Sequence, residues 1–302
     1  MISKLFLSVI PAVLFFFTIC AIGALLYFFR FSKRGRKSPL TGQLLRGPGE
    51  SLRMQIEDLS INIDAYIVVE AAIPILVFST YLSQIFLGGD KQNISSIIIY
   101  ILIAAIFIAL IMIKLWRLLK QRRSLYLALD CELAVGQELN HLMLEGCRVY
   151  HDFPADKFNI DHVVVSPKGV FAVETKGRSK PYTKRGGEET KIVYDGEALN
   201  FPGWKEKKPL KQARWQATWL SEWLSSAVGE KISVQPVLSF PGWYVDQEKK
   251  DDLIFLYGKP TFLAKLPNNE ALPQGLIQRI AHQIEQRCRD VEPVAYSHSR
   301  KQ

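Results

Sequence analysis

The sequence predicts transmembrane α-helices followed by a soluble α/β domain. Long apolar runs without charges are confined to the first part of the chain, up to about residue 115. Beyond that point charged residues occur throughout, and segments with strand periodicity alternate with segments with helix periodicity. We therefore expect a membrane domain over residues 1–123, a folded domain over 124–292 and a disordered tail over 293–302.

The first apolar run spans residues 5–29 and contains no charged residue. It is longer than the roughly 20 residues that a helix needs to cross a bilayer. A cleaved signal peptide is the competing interpretation, but the apolar core of such a peptide is only about 7 to 15 residues long. Basic residues follow the run, as in a stop-transfer segment: Arg30, Lys33, Arg34, Arg36 and Lys37.

Two further apolar runs, at about residues 66–88 and 94–113, predict a transmembrane hairpin. The first of them carries Glu70, and the cost of an ionisable group in lipid favours a position near the interface. A re-entrant or surface-lying segment is the alternative for this run. Basic residues cluster in the predicted cytoplasmic loop 30–65 and after the third span, so the amino terminus is predicted outside and the soluble domain in the cytoplasm.

Charge and cysteine content set broad limits on function. The formal net charge is +9, which permits a nucleic acid or an anionic membrane as partner. A charge of this size is also common in domains that bind neither. The four cysteines include no CxxC pair, and none has a histidine at zinc-ligand spacing, which argues against a structural zinc site.

The elements of the soluble domain follow from periodicity and turn residues. Residues 124–144 predict one amphipathic helix or a broken pair, with Gly146 as its stop. A β-hairpin is predicted over 158–166 and 170–176, joined by the turn residues 167–169. The later elements are predicted at 191–194 (strand), 210–228 (helix), 234–240 and 253–257 (strands) and 272–288 (helix). We interpret the stripe of Trp215, Trp219 and Trp223 as core packing.

The hairpin is predicted to bring two acidic residues and a lysine together. If the turn centres on residues 167 and 168, Asp161 lies opposite Glu174, with Cβ atoms about 5 Å apart. Lys176 follows two residues later, so its side chain projects from the same face as Glu174. Like charges so placed repel unless a cation or a proton compensates them. Carboxylate oxygens suit Mg²⁺ or Mn²⁺, so the pattern predicts a metal site with an ammonium group beside it.

An ordinary ion pair at a strand end is the alternative interpretation of this pattern. The triplet Glu-x-Lys also occurs at three other places, Glu189-Thr-Lys191, Glu206-Lys-Lys208 and Glu248-Lys-Lys250. Glu174 differs from these because it ends an apolar strand and has an aspartate across the turn. The context of Glu174, and not the triplet itself, favours a catalytic, metal-binding site.

Residues 130–245 resemble NERD, the nuclease-related domain, which is similar to the PD-(D/E)xK nucleases. The resemblance rests on three stretches: Gly136-Gln-Glu138, Ile160-Asp-His-Val-Val-Val-Ser-Pro-Lys-Gly-Val-Phe-Ala-Val-Glu-Thr-Lys176 and Pro209-Leu-Lys-Gln212. Ile160 stands where the broader nuclease group often has proline, a departure that NERD domains share.

This resemblance implies a restriction-endonuclease-like fold, a mixed sheet flanked by helices, and Mg²⁺- or Mn²⁺-dependent hydrolysis of DNA. RNA is a further substrate class that nothing in the sequence excludes. The resemblance implies that Asp161 and Glu174 are metal ligands, that Lys176 is the catalytic lysine, that Glu138 assists the metal and that Gln212 lines the site. Membrane spans also precede such domains in that family, which implies a nuclease or nucleic-acid-processing role. The resemblance and the predicted topology together imply a multi-pass protein of the inner (cytoplasmic) membrane.

Basic residues flank the predicted site and are candidates for phosphate contacts: Arg178, Lys180, Lys184, Arg185, Lys208, Lys211 and Arg214. Solvated charges or contacts with anionic lipid are the alternative. His162 is predicted to point to the opposite face from Asp161 and to be structural. A membrane-tethered adaptor that binds nucleic acid or protein without cleaving it is the alternative function for the same fold.

Overall fold

The structure is a computed structural model that describes residues 2–32, 39–87, 94–181, 191–256, 260, 263 and 271–293. It forms two compact units, one of residues 1–41, 56–123 and 293–302 and the other of residues 42–55 and 124–292. The second unit thus includes residues 42–55, which the sequence assigned to the membrane domain. The predicted turn between the second and third spans and the predicted disordered tail from residue 294 lie outside the described residues.

The described part of the first unit is helical. Helix α1 is Ile2–Ser32, and helices α2 (Glu50–Leu87) and α3 (Ile94–Asn140) run from one unit into the other. Among the described residues, two helices are long and apolar enough to cross a membrane, over Glu50–Ile85 and Ile98–Glu145, and a shorter apolar helix covers Val13–Phe28. Their most apolar windows are 6% and 0% buried, whereas a core helix of a soluble protein would be mostly buried.

The structure corrects the predicted bounds of α2 and α3. The predicted loop 30–65 is helical from Glu50 onward, and α2 continues through Pro74. The proline ring removes the N–H that would bond the carbonyl of Glu70. Oε2 of Glu70 is buried and finds no hydrogen-bond partner among the described residues. The amphipathic helix predicted at 124–144 is not separate, because it is the last part of α3.

The end of α3 is set by a glycine. A 3₁₀ segment, His141–Glu145, follows the α-helix and ends at Gly146. Gly146 has a φ of 84°, and its N–H donates to the carbonyls of Leu142 and Met143. Glycine adopts this left-handed conformation without steric cost. The predicted stop at Gly146 is confirmed.

The described part of the second unit alternates strands and helices. In chain order the strands are β1 (Leu44–Leu45), β2 (Arg148–Pro154), β3 (Asn159–Ser166), β4 (Gly169–Thr175), β5 (Lys191–Tyr194), β6 (Leu199–Phe201), β7 (Trp204–Glu206), β8 (Val234–Ser239), β9 (Tyr244–Gln247), β10 (Ile254–Leu256) and β11 (Arg289–Val291). Helix α4 is Lys208–Val228 and helix α5 is Gln274–Cys288.

The central sheet is mixed and has the order β10-β8-β4-β3-β2. Strands β2, β3 and β4 are antiparallel neighbours, whereas β8 is parallel to both β4 and β10. The crossover from β4 to β8 contains α4, as parallel neighbours require a long connection. The predicted helical region followed by an α/β domain with a mixed sheet is confirmed, and the sheet is compatible with a nuclease-like fold.

Two hydrophobic cores cover the faces of the central sheet. On one face, Val163 of β3 and Ala172 of β4 pack with Leu220 of α4 and Ile280 of α5. On the other face, a second core includes Val164, Phe171 and Leu139 of α3. Trp219 and Trp223 pack against the first core, as predicted, whereas Trp215 is 54% exposed.

A smaller sheet, with the order β7-β6-β5-β9, adjoins the start of α4. Its core contains Tyr194 and Phe201 together with Leu210 of α4. The sequence predicted β5 but not β6, β7 or β9, which are three or four residues long. It also missed β2, in which buried His151 and Asp152 interrupt the apolar residues.

Candidate metal centre

The register of the β3–β4 hairpin brings the two predicted acidic residues together. Ser166 pairs with Gly169, as predicted, and the same register continues to His162, which pairs with Val173. Its next step places Asp161 beside Glu174, on the face that α4 covers. Oδ2 of Asp161 accepts a hydrogen bond from the backbone N–H of Thr175 at 2.6 Å, which fixes the carboxylate across the two strands.

Glu174 is the most buried acidic residue of this group, with 1% of its surface exposed. Its Oε1 accepts hydrogen bonds from the Lys176 ammonium and, at 2.8 Å, from Nε2 of Gln212. Its Oε2 is buried and has no hydrogen-bond partner among the described residues. A buried polar atom without a partner costs about 1 to 3 kcal/mol, so this oxygen is a position where a bound cation would be stabilised.

The structure does not bring Glu138 to the acidic pair. Glu138 is exposed on α3, whereas Glu132 on the same helix is only 8% exposed. The charge of Glu132 acts on Asp161 and raises its pKa. Glu132 belongs to the buried stripe of α3 that includes Leu129 and Val135. An acidic residue inside an apolar helical stripe was the signal in the sequence that could have identified it.

Gly136 shows what the family motif on α3 does in this protein. A Cβ atom on Gly136 would lie 2.8 Å from Cγ of Pro48, which is too close for either group to stay in place. Glycine therefore lets the segment before α2 approach the helix closely. Gly136 therefore serves packing, and the carboxylate of α3 whose charge acts on Asp161 is that of Glu132.

The group carries more negative than positive charge. Loss of hydration, together with the charges of Glu174 and Glu132, raises the pKa of Asp161 well above its usual value, against a smaller opposing effect of Lys176. Loss of hydration, followed by the charges of Asp152 and Glu174, raises the pKa of Glu132 to about 8. The carboxyl groups of Asp161, Glu174 and Glu132 thus outnumber the one ammonium group, that of Lys176. In the protein without metal, bound protons neutralise part of the negative charge.

These residues fit a hard divalent cation. The donors are carboxylate oxygens, which Mg²⁺ and Mn²⁺ prefer, and Oε2 of Glu174 is an unused acceptor among the described residues. The described residues contain no group of three or more His, Cys, Asp or Glu side chains placed to hold a metal ion. Mg²⁺ commonly takes one or two carboxylates from a protein and completes its shell with water and substrate oxygens.

The raised pKa of Glu132 makes stability depend on pH. In the unfolded chain Glu132 loses its proton near pH 4.5, but in the folded protein it does so at about pH 8. Glu132 therefore binds more protons in the folded than in the unfolded state between these values, so its contribution to stability is most favourable below pH 4.5 and falls as the pH rises to about 8.

Glu132→Gln is expected to remove this decline. In EDTA, the free energy of unfolding of the variant should match that of the parent at pH 4.5 and exceed it at pH 9 by on the order of 5 kcal/mol, since one pKa unit is about 1.4 kcal/mol. The free energy of unfolding is measured in urea from tryptophan fluorescence, because five of the six tryptophans lie in the second unit. A difference between variant and parent that is the same at both pH values would contradict the assignment.

His162 lies on the opposite face of β3, as predicted. It is fully buried, and its Nδ1 lies 2.9 Å from Nδ1 of His151, whose Nε2 lies 3.0 Å from Oδ1 of Asn140. Because that amide oxygen only accepts hydrogen bonds, Nε2 of His151 donates and its Nδ1 accepts from His162. Burial lowers the pKa of His151 to about 4 and, helped by His151, lowers that of His162. Both rings are neutral structural groups.

The predicted phosphate-binding residues differ in whether they are exposed or already paired with acidic residues of the protein. Arg178 forms a bidentate pair of hydrogen bonds with the carboxylate of Glu206. Arg214 forms ion pairs with Asp251 and Asp252. These two arginines are therefore engaged within the protein. Three predicted lysines, Lys180, Lys208 and Lys211, are exposed. Lys184 and Arg185 lie outside the described residues.

The fold and the site together define a class of protein, an α/β domain whose mixed sheet carries an acidic pair and a lysine at the end of a β-hairpin. Comparison with known families narrows this class. Residues 128–241 match the model of NERD, the nuclease-related domain, so this part of the chain is similar to that family. No curated protein and no solved structure matches the chain.

Proposed function

We propose that this protein is a membrane-anchored, Mg²⁺- or Mn²⁺-dependent nuclease that hydrolyses phosphodiester bonds of DNA on the cytoplasmic side of the membrane. The observation that carries the proposal is the acidic pair Asp161 and Glu174, joined at one strand end by Lys176. The match of the surrounding residues to a nuclease-related domain supports the same reaction class. RNA contains the same bond and is a second substrate for the test.

Each side chain has a separate part in this reaction. Asp161 and Glu174 would hold the cation, and Glu132 would add negative charge behind them. A cation bound there would acidify a water molecule and offset negative charge on the phosphate. Lys176 would orient that water and stabilise the same charge. The water oxygen would bond to phosphorus as the bond to the departing sugar oxygen breaks, and a proton from the water would pass to that sugar oxygen, which leaves one hydroxyl end and one phosphate end.

The membrane part of the proposal rests on α2 and α3. Their apolar windows are long enough to span a bilayer and are exposed in the structure. Five basic residues follow the last apolar run, Lys114, Arg117, Lys120, Arg122 and Arg123, and basic flanks stay on the cytoplasmic side. We infer that the second unit faces the cytoplasm of a cell whose inner membrane holds the spans.

A non-catalytic adaptor is the second candidate, and one observation favours it. Lys176 and Gln212 already satisfy Oε1 of Glu174 without any metal, so part of the site is stable as it stands. An adaptor would use the same domain to bind nucleic acid or protein. Its binding would depend on salt concentration but not on a divalent cation.

Metal-dependent cleavage separates the two candidates. The full-length chain, purified in detergent micelles, is incubated with labelled single-stranded DNA, duplex DNA and RNA in Mg²⁺, Mn²⁺ or EDTA. The nuclease proposal expects cleavage of DNA in Mg²⁺ or Mn²⁺ and none in EDTA. Binding of DNA with no cleavage under any of these conditions would reject the nuclease and support the adaptor.

A further inference from the structure

Trp204 is an exposed tryptophan whose ring is held in one orientation. It is 37% exposed and is the first residue of β7. Its ring stacks on Phe201, with centroids 4.6 Å apart and planes at 8°, and it meets Trp243 edge-on at 6.3 Å and 90°. Phe201 covers one face of the indole, and more than a third of the residue remains exposed.

Hydrogen bonds restrain the same ring. Nε1 of Trp204 donates to Oε1 of Glu206 at 2.9 Å, and Arg178 donates to both oxygens of that carboxylate at 2.8 and 2.7 Å. Nε1 of Trp243 donates to the carbonyl of Arg178 at 2.9 Å. The indole of Trp204 is thus fixed on one face, at one edge and at its nitrogen. A fixed ring loses little entropy when a second ring stacks on it.

This aromatic surface adjoins the candidate metal centre. Arg178 follows Lys176 by two residues, and its Nη1 donates to the carbonyl of Gly177 at 2.9 Å. The pKa of Glu206 is lowered mainly by its hydrogen bonds from Arg178. The positive charge of Lys176 lowers the same pKa further. The carboxylate that holds Trp204 is therefore within electrostatic reach of the candidate catalytic lysine.

A cation accompanies the aromatic rings. Nζ of the exposed Lys180 lies 5.7 Å from the ring centroid of Trp243. A nucleic acid presents the complementary pair of groups, flat bases and a phosphate backbone. Stacking requires a base whose face is free, which a continuous duplex does not offer.

We propose that Trp204 is a stacking platform for an unpaired nucleobase, and that the substrate of the neighbouring metal centre is single-stranded nucleic acid or an unpaired end. This inference rests on the proposed nuclease function and specifies its substrate class. The rigid indole selects a base whose face is free, and Lys180, beside Trp243, contacts the backbone. Neither contact depends on base identity, so we expect no sequence preference.

The test measures stacking directly, with the full-length protein in detergent and Ca²⁺ in place of Mg²⁺ to slow hydrolysis. The probe is a single-stranded oligonucleotide that carries 2-aminopurine, whose fluorescence falls when it stacks on an aromatic ring. Wild-type protein should quench the probe, and Trp204→Leu should not. By anisotropy, Trp204→Leu should weaken single-strand binding about 5- to 100-fold, the loss expected for one base–aromatic contact, and should change duplex binding less than about 2-fold.

Two further variants make the result specific. Trp215→Leu is the matched control, because Trp215 is also exposed and also packs on a phenylalanine, Phe158, at 4.2 Å. It should keep wild-type quenching. Trp204→Phe retains an aromatic ring next to Phe201 and should recover part of the binding and quenching, which covers the case in which the leucine variant fails to fold.

Each outcome bears on one proposal or the other. Quenching that survives in both Trp204 variants, equal losses for single strands and duplexes, or no binding of single strands by wild-type protein would overturn the platform. Trp204-dependent quenching without cleavage in Mg²⁺ would support the platform and reject the nuclease. Cleavage with no dependence of quenching on Trp204 would leave the nuclease and reject the platform.

Discussion

Glutamine in place of Glu174 is expected to reduce the rate of phosphodiester cleavage by about 10³-fold or more. The substitution keeps the shape of the side chain but removes the charge beside Asp161, at a position that is 1% exposed. The group would then bind a divalent cation far more weakly. The rate is measured under single-turnover conditions in Mg²⁺, and metal binding is measured separately by calorimetry.

Lys176→Met should reduce the rate of phosphodiester cleavage by about 10² to 10⁴-fold, but without weakening metal binding. Methionine keeps most of the apolar stem and removes the ammonium that contacts Oε1 of Glu174. Without that positive charge the acidic group should bind Mg²⁺ at least as tightly as in the parent. Loss of cleavage with metal binding retained would therefore separate the lysine from the carboxylate ligands.

The chain offers a matched control in another Glu-x-Lys triplet. Glu248 and Lys250 have the same residue types and the same spacing but are exposed. Glu248→Gln and Lys250→Met should leave cleavage within about 2-fold of the parent. If variants of the two triplets cleave equally well, the acidic pair is an ordinary strand-end ion pair and the adaptor is the better description.

The hairpin was predictable because its information is local. Strand alternation, a proline-containing turn and a glycine with φ of 141° fix the register, and the register alone sets Asp161 beside Glu174. Gln212 was found through the family resemblance, and it does reach Glu174. To identify these residues, it was not necessary to know how the layers of the domain pack.

Glu132 was missed because its role depends on that packing. The family motif drew attention to Glu138, but the direction in which a helical side chain points is set by which stripe of α3 is buried. The helical course of residues 50–65 was missed for a related reason, since their polar composition resembles a loop. Strand β2 was missed because two of its buried residues are polar, His151 and Asp152, and their partners lie in other parts of the chain.

Asp152→Ala is expected to destabilise the folded domain by about 3 to 5 kcal/mol, the usual cost of breaking a buried ion pair. Asp152 is 3% exposed, and its Oδ2 accepts hydrogen bonds from Nη1 of Arg46 at 2.9 Å and from the backbone N–H and hydroxyl of Ser51 at 2.8 and 2.6 Å. Its Oδ1 accepts from Nδ2 of Asn159 at 3.1 Å. Alanine leaves all of these donors without that partner.

The backbone adds to the cost of this substitution. Asp152 has a φ of 47°, a left-handed conformation that aspartate and asparagine tolerate better than alanine. Asp152→Asn should therefore be milder than Asp152→Ala, because it keeps the conformation and one acceptor oxygen. Unfolding is followed by tryptophan fluorescence, and for a domain of this size a loss of about 3 to 5 kcal/mol lowers the melting temperature by roughly 10 °C.

Asp156→Ala is the matched control, since Asp156 follows β2 closely but its side chain is 71% exposed in its pair with Arg287. It should change stability by less than about 1 kcal/mol, and an equal effect at both positions would mean that the buried network does not stabilise the domain.

Asp152 also helps to raise the pKa of Glu132, for which loss of hydration is the larger cause. Removal of its charge should lower that pKa, so the fall in stability with rising pH should begin to level off at a lower pH in Asp152→Asn than in the parent. The same aspartate would then both secure the first turn of α2 and set the protonation of the candidate metal centre.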